Sequence, residues 1–340
     1  MLKDKLMQEL RVDSTGLVWG YWLGKDKAAV SISPADVDTA LRMAKLGKQE
    51  GPLWLHFNLS QASTEKWLRD HVPLPHEFFE ALQQGSRSTR IEQIDEGLIA
   101  VVNDVLHGFN FDASELSTLW LWVTPTLVIS ARRKPLKSVD RLRQAVQNGA
   151  AIPTSADLLT HLLRDQADVL IGIVRETVAR TDKIEDDLLA GRLDQKRSNL
   201  GSLRRVLVRL QRLMAPEPAA LFRLLQRPPA WIAEADLQEL RQSSEEFATV
   251  LTDMSSLQER IKLLQEEIAA IVNERNSKSL YMLTVFTVVA LPINMIAGLF
   301  GMNVAGIPLA EHPHGFWLVV ALVACVTSGA FWLIGRGRAN

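Results

Sequence analysis

The chain has 340 residues, 47% of them hydrophobic, and 38 Lys and Arg against 39 Asp and Glu give a formal net charge of −1. That balance excludes a nucleic-acid binder acting through global positive charge, and equally an acidic solvating tail. The one cysteine, Cys325, falls inside an apolar run, which excludes intrachain disulfides and a cysteine-based zinc site within one chain.

In chain order, Met1 to Glu9 lack an apolar core, so no cleavable signal peptide is expected. Residues 1–154 then mix two periodicities. Gly16–Trp22, Leu53–Phe57, Gly97–Val102, Leu119–Val123 and Thr126–Ser130 read as strands, the last set off by Pro125. Ser33–Leu46, Gln61–His71, Pro75–Gln83 and Ser138–Gln147 read as amphipathic helices, the first with Ser33 as cap and Pro34 at its first helical position. This is an α/β domain. It holds no phosphate-cradling glycine loop and no nucleophile elbow. His56, His71, His76 and His107 lack metal-type spacing and are assigned structural roles.

Residues 155–229 read as a helical hairpin. Ser155-Ala156-Asp157 is the expected start of a helix running to Leu189, with Gly191 as its stop. A second helical stretch runs from Asp194 to Gln226, ends at Pro228-Pro229, and is broken or kinked at Pro216 and Pro218. Arg192, Lys196, Arg197, Arg204, Arg205, Arg209 and Arg212 stud its first half without interleaved aromatics, so we read them as a solvated face opposite an acidic neighbour.

That neighbour is expected in the next segment, residues 230–303, which begins as a helix near Glu234. From Leu240 onward, Phe247, Val250, Met254, Leu257, Ile261, Leu264, Ile268 and Ile271 keep a three-four alternation, the mark of lengthwise packing. No Pro or Gly interrupts Ala230 to Pro292, so the stalk is expected to continue into the membrane as one rod, on the order of 100 Å for about 70 residues. A rod that long needs self-association to bury its seam.

Two stretches carry no charge, Ser279 to Phe300 and Gly315 to Gly335, and each exceeds the roughly 20 residues that span hydrocarbon. Both are apolar around the circumference, unlike the one-sided helix of a soluble core. Arg275 and Lys278 precede the first span, and Arg336 and Arg338 follow the second. The link, residues 304–314, has neither Lys nor Arg. Both termini, including the tail 336–340, are therefore expected in the cytoplasm.

On the first span, Leu280, Leu283, Thr287, Leu291, Asn294 and Gly298 fall at steps of three or four and share one face. Asn294 needs either a neighbouring helix or water, because an unpaired carboxamide in lipid costs several kcal/mol. The three leucines suit apolar constrictions, and Pro292 frees the Val288 carbonyl. The span ends in Gly301-Met302-Asn303, whose carbonyl oxygens and neutral carboxamide suit a hydrated cation.

Gly301-Met302-Asn303 after Leu291-Pro292-Ile293-Asn294-Met295-Ile296-Ala297-Gly298-Leu299-Phe300, at the close of a stalk and the first of two C-terminal spans, resembles the CorA family of divalent-cation transporters. Val304-Ala305-Gly306-Ile307-Pro308 is similar to the zinc-transporting ZntB branch, whose pattern has Gly where this chain has Ala305. The resemblance implies an α+β membrane protein: a cytoplasmic α/β domain, a helical hairpin and a stalk continuous with the first of two transmembrane helices, assembled as a funnel-shaped homopentamer in the inner membrane. It implies Asn303 at an ion-entry ring, with Asn294, Leu291, Thr287, Leu283 and Leu280 below it. The cargo it implies is zinc or a related divalent metal such as cadmium or nickel, taken up with protons. A magnesium or cobalt channel of the same family is the alternative, and a membrane-anchored sensor without a pore is a second.

Neutral carboxamides can hold an ion's water shell, which suits a strongly hydrated divalent cation and discriminates poorly between metals. Glu311, His312 and His314 in the link are candidates for external metal capture, weighed against an ordinary interfacial loop. Neither span holds an Asp, Glu or His for a proton relay, so coupling must use groups outside them. No enzymatic activity, resident cofactor or nucleic-acid partner is expected; the partners are other copies of the chain, lipid and hydrated cations.

Overall fold

The computed structural model describes residues 15–24, 29–47, 49, 51–85, 89–192, 196–302 and 312–336. The chain divides into two units, Met1–Gln265 and Glu266–Asn340.

The first unit is built on a seven-stranded sheet of β1 (Leu17–Trp22), β2 (Val30–Ser31), β3 (Leu53–Asn58), β4 (Arg90–Ile94), β5 (Gly97–Val105), β6 (Leu116–Val123) and β7 (Leu127–Arg132), in the order β2-β1-β3-β7-β6-β5-β4. β3 and β7 pair in parallel and the other neighbours antiparallel. All nine residues of β5 and all six of β7 are buried. Burial on both faces is why these strands read as continuous apolar runs rather than as alternation.

Alternate residues feed two cores. Trp54, Leu98, Ala100, Val102, Leu119 and Leu121 face α4 (Lys137–Gln147), the start of α5 (Ser155–Leu189), α7 (Pro216–Gln226) and the start of α8 (Glu234–Phe300). Leu53, Leu55, Phe57, Ile99, Val101 and Trp120 face α1 (Val37–Lys45), α2 (Ala62–His71) and α3 (His76–Gln84). The unit is a sheet between two helical layers.

Several local expectations shift. The Ser33-Pro34 signature opens a 3₁₀ turn over Pro34–Asp36, with Ser33 accepting from the Ala35 amide at 3.4 Å, and α1 follows it. The cap of α5 is Thr154, which accepts from the Asp157 amide at 2.9 Å, and Ser155 instead donates to the Pro125 carbonyl at 3.2 Å. β4 escaped the sequence reading because only Ile91 is buried among Arg90-Ile91-Glu92-Gln93-Ile94. It is an edge strand paired solely with β5, and edges tolerate charge. The second hairpin helix is divided into α6 (Lys196–Met214) and α7, which restarts at Pro216. Asp194, the expected start of that stretch, lies outside the described residues.

Within one copy the heptad seam is already buried over residues 240–264, so this part of the rod does not need the self-association expected to cover it. Leu240, Phe247, Val250, Met254, Leu257, Ile261 and Leu264 lie in the core. Among the described residues no ion pair joins the α6 arginines to the acidic side chains expected opposite them. Arg204, Arg205, Arg209 and Arg212 are exposed, as a solvated face requires, and among the described residues the ion pairs that join α8 to another helix run to α5: Arg164 with Glu239 at 3.5 Å, Arg260 with Asp182 at 2.7 Å, and Arg260 with Glu185. α6 meets α8 through neutral groups instead, Gln258 donating to Gln211 at 2.7 Å and Gln211 to Ser255.

The second unit comprises the rest of α8 and α9 (Gly315–Arg336). The most apolar 18-residue window of α8 has a mean hydropathy of 2.1 with no residue buried, and that of α9 has 1.9 with 6% buried. A core helix of a soluble protein would be covered. These helices are long and apolar enough to cross hydrocarbon, and within one copy little covers them.

Candidate ion pathway

At about 100° per residue, Leu280, Leu283, Thr287, Leu291, Asn294 and Gly298 fall within about 80° of one another on α8. Leu280, Leu283 and Leu291 are 64%, 63% and 65% exposed, and Thr287, Asn294 and Gly298 are exposed with them. The half-buried positions of the same span, Val285, Val289, Pro292, Ile293, Ile296 and Phe300, centre on the opposite side. α9 carries a matching half-buried stripe at Val319, Val323, Thr327 and Ala330. Within one copy the shielded face of α8 is therefore the one turned away from Asn294.

The polar atoms on the open face are disposed to accept. Thr287 donates its hydroxyl hydrogen to the Leu283 carbonyl at 2.9 Å, leaving oxygen lone pairs free. Pro292 lies inside the helix and has no N–H to give Val288, so that carbonyl also remains available. Among the described residues the Asn294 carboxamide has no hydrogen-bond partner. It can donate to the water around an ion as well as accept.

At the end of α8 the Gly301 amide closes on the Ala297 carbonyl at 2.9 Å. A β-carbon on Gly301 would lie 2.9 Å from that same oxygen, so the turn needs glycine for close approach. Met302 is 48% exposed. Asn303 and the link through Glu311 lie outside the described residues.

His312 and His314 are both exposed, with ring centroids 6.1 Å apart. The His314 amide donates to His312 Nδ1 at 3.2 Å and the Gly315 amide to the His312 carbonyl at 2.9 Å. The pair shapes the entry to α9. Among the described residues no group of three or more His, Cys, Asp or Glu is placed to hold a metal.

Among the described residues the most perturbed titratable groups lie in the first unit, where the sequence assigns His56 a structural role and marks out neither Asp104 nor Glu217. His56 is wholly buried, stacked on Trp19 at 4.1 Å, with Nδ1 2.8 Å from Ser130 Oγ and Nε2 accepting from Arg132 at 3.1 Å. Burial first, then the charges of Arg132 and Arg143, hold its imidazole well below the ordinary range. Asp104 accepts from the Val105 amide at 2.7 Å, the Ser138 amide at 2.9 Å and the Ser138 hydroxyl at 2.5 Å, and burial pushes its carboxyl up to about 6. Burial likewise pushes Glu217 up to about 8. An acid between two prolines was the one signal for Glu217, and it says nothing about what packs over it.

Residues 49–336 match the family model described as CorA-like Mg2+ transporter protein. The chain belongs to that CorA-like family. It is 28% identical over 336 residues to the divalent cation transporter CmaX of Pseudomonas aeruginosa, covering 96% of this chain and 97% of the relative. It is 27% identical over 319 residues to the zinc transport protein ZntB of Yersinia enterocolitica, covering 93% and 94%. The solved full-length CmaX structure superposes with a TM-score of 0.78 at 26% identity, covering 95% of this chain and 98% of that one. The CorA magnesium transporter of Methanocaldococcus jannaschii shares the fold at a TM-score of 0.71 and 17% identity, over 93% and 96% of the two chains. These CorA-family relatives are transporters, not enzymes.

Proposed function

We propose that this chain transports divalent cations across a cell membrane, with the open face of α8 from several copies lining a central path. The observation that carries this reading is the disposition of that face. Asn294, Thr287 and the leucines are uncovered, lie opposite the shielded side, and lead to Gly301 and Met302, which Asn303 follows in the sequence. In a symmetric homopentamer the face closes on itself. The carboxamides then meet water and hydrated ions rather than lipid, which removes the several kcal/mol that each unpaired amide would cost. Leu280, Leu283 and Leu291 become apolar rings that gate by dewetting.

In this reading the cargo is zinc, with cadmium and nickel tolerated because neutral rings hold a hydrated metal without choosing its ligands. Asn303 forms the entry ring and Glu311, His312 and His314 collect metal outside it. Both termini are cytoplasmic, the membrane is the inner one, and transport is inward with protons. Coupling uses groups outside the spans, since neither holds an Asp, Glu or His. A magnesium channel is the second reading, favoured by the description of the matching family model.

Flux into liposomes decides between them. Zinc entry should exceed magnesium entry, Asn303→Ala should remove most of it, and an inward proton gradient should raise it. Magnesium faster than zinc would favour the second reading, and flux unchanged in Asn303→Ala would refute the pore.

A further inference from the structure

Glu217 sits in the first turn of α7 with no exposed surface. Its surroundings are polar but neutral. Gln166 of α5 donates from Nε2 to Glu217 Oε2 at 3.1 Å and to the Asn103 carbonyl of β5 at 2.7 Å. Thr89 reaches Glu217 Oε2 at 3.5 Å and the Leu213 carbonyl, at the end of α6, at 3.3 Å. Asn103 donates from Nδ2 to Thr89 and to Leu213, both at 3.4 Å, while its own Oδ1 accepts from Thr118 at 3.1 Å.

The site is short of hydrogens. Both amide hydrogens of Gln166, both of Asn103 and the two hydroxyl hydrogens are committed. Two buried oxygens remain without a partner, Glu217 Oε1 and Gln166 Oε1. They belong to the two groups already joined by the Gln166-to-Glu217 bond. Rotating the Gln166 amide does not help, because that would turn its oxygen toward the Asn103 carbonyl. A carboxylic acid facing a primary amide forms a cyclic pair: amide N–H to one carboxyl oxygen, carboxyl O–H to the amide oxygen. One half of that ring is present, and a single hydrogen on Glu217 Oε1 supplies the other.

Charge points the same way. Among the described residues no Lys, Arg or His pairs with Glu217. The charged group acting on it is Asp104 of β5, itself an acid, with Lys137 of α4 acting in turn on Asp104. The other elements packed against it present Gln166, Thr89, Asn103 and the Leu213 carbonyl, none of them charged. A water could fill both oxygens, but it would leave a negative charge buried without a counter-ion.

We propose that Glu217 binds one proton as a neutral acid, closing a cyclic pair with Gln166, and that this pair keys α7 to the sheet only while the proton is held. The first unit then carries a pH-responsive latch where α5, α6 and α7 converge on β5.

The sign follows from linkage. The folded protein holds this proton up to about pH 8, whereas an unfolded chain releases it near 4.5, so stability falls across that interval and levels off above it. Asp104 follows the same rule only up to about pH 6, which leaves the interval from about 6.5 to 8 to Glu217. Urea unfolding of the first unit, followed in the full-length protein in detergent, should show the folding equilibrium falling by up to about tenfold per pH unit there. In E217Q the amide supplies the missing hydrogen permanently, so the slope should vanish and the variant should be the more stable at about pH 9. Infrared difference spectra should show a protonated-carboxyl stretch at pH 7 that E217Q lacks. A slope unchanged in E217Q, failure of E217Q to fold at pH 7, or absence of that band would each overturn the latch. So would stabilisation of the wild type by added sodium or magnesium that E217Q does not share, which would mean a cation fills the site.

Discussion

Phe247→Ala tests the register on which the stalk depends. Phe247 is 1% exposed, and Leu240, Met254 and Ile261 on the same seam are fully covered. Truncating a buried Phe removes its transfer free energy and leaves a cavity that the surrounding helices fill only partly, a loss of about 3–5 kcal/mol. A unit of this size shifts by about 2–4 °C in Tm per kcal/mol, so a loss near 4 kcal/mol corresponds to about 8–16 °C. Thr252→Ala is the control. It lies on the same helix, is exposed, and returns its hydroxyl to the Ala248 carbonyl at 3.0 Å, so it should change stability by about 0.5 kcal/mol or less. Thermal unfolding of the full-length protein in detergent, followed by aromatic fluorescence, reads both. Equal shifts for the two variants, or a loss under about 1 kcal/mol for Phe247→Ala, would show the seam to be out of register and refute the packing argument.

Three further outcomes follow. His56 is held neutral when folded while an unfolded histidine protonates near 6.5, so stability should fall as pH drops below about 6.5, at up to about 1.4 kcal/mol per pH unit. His56→Gln keeps a side-chain acceptor for Arg132 and should flatten that limb of the urea midpoint against pH. A β-carbon on Gly97 would lie 2.4 Å from Trp122 Cη2, so Gly97→Ala should displace the indole and lower stability by about 1–3 kcal/mol, seen as a changed near-UV circular dichroism band. In the pore reading, Asn294→Leu replaces a carboxamide ring by another apolar constriction, and zinc flux into liposomes should fall at least about tenfold with pentamer assembly retained. Flux at the wild-type level would remove Asn294 from the path.

The apolar spans, the heptad seam and the unbroken helix from Glu234 to Phe300 were legible because each is a local pattern repeated over many residues. Leu280 to Gly298 could be placed on one face from helical period alone. β4 and the two-residue β2 were not legible, because edge strands are specified by a neighbour rather than by their own alternation. Thr154 displaced Ser155 as the cap of α5 because the Pro125 carbonyl claims the Ser155 hydroxyl, a contact 30 positions away in the chain.

The sequence by itself determined that two uncharged runs close this chain, that a long helix enters the first, and that Gly301-Met302-Asn303 ends it. Those properties follow from side-chain chemistry repeated at the helical period. Only the tertiary structure decided which side of α8 is shielded within one copy. It also decided that, among the described residues, the stalk's ion pairs to other helices run to α5, and that Glu217, Gln166, Asn103 and Thr89 share one buried site. Burial and hydrogen-bond supply depend on residues far apart in the chain, and their distances exist only once the chain is folded.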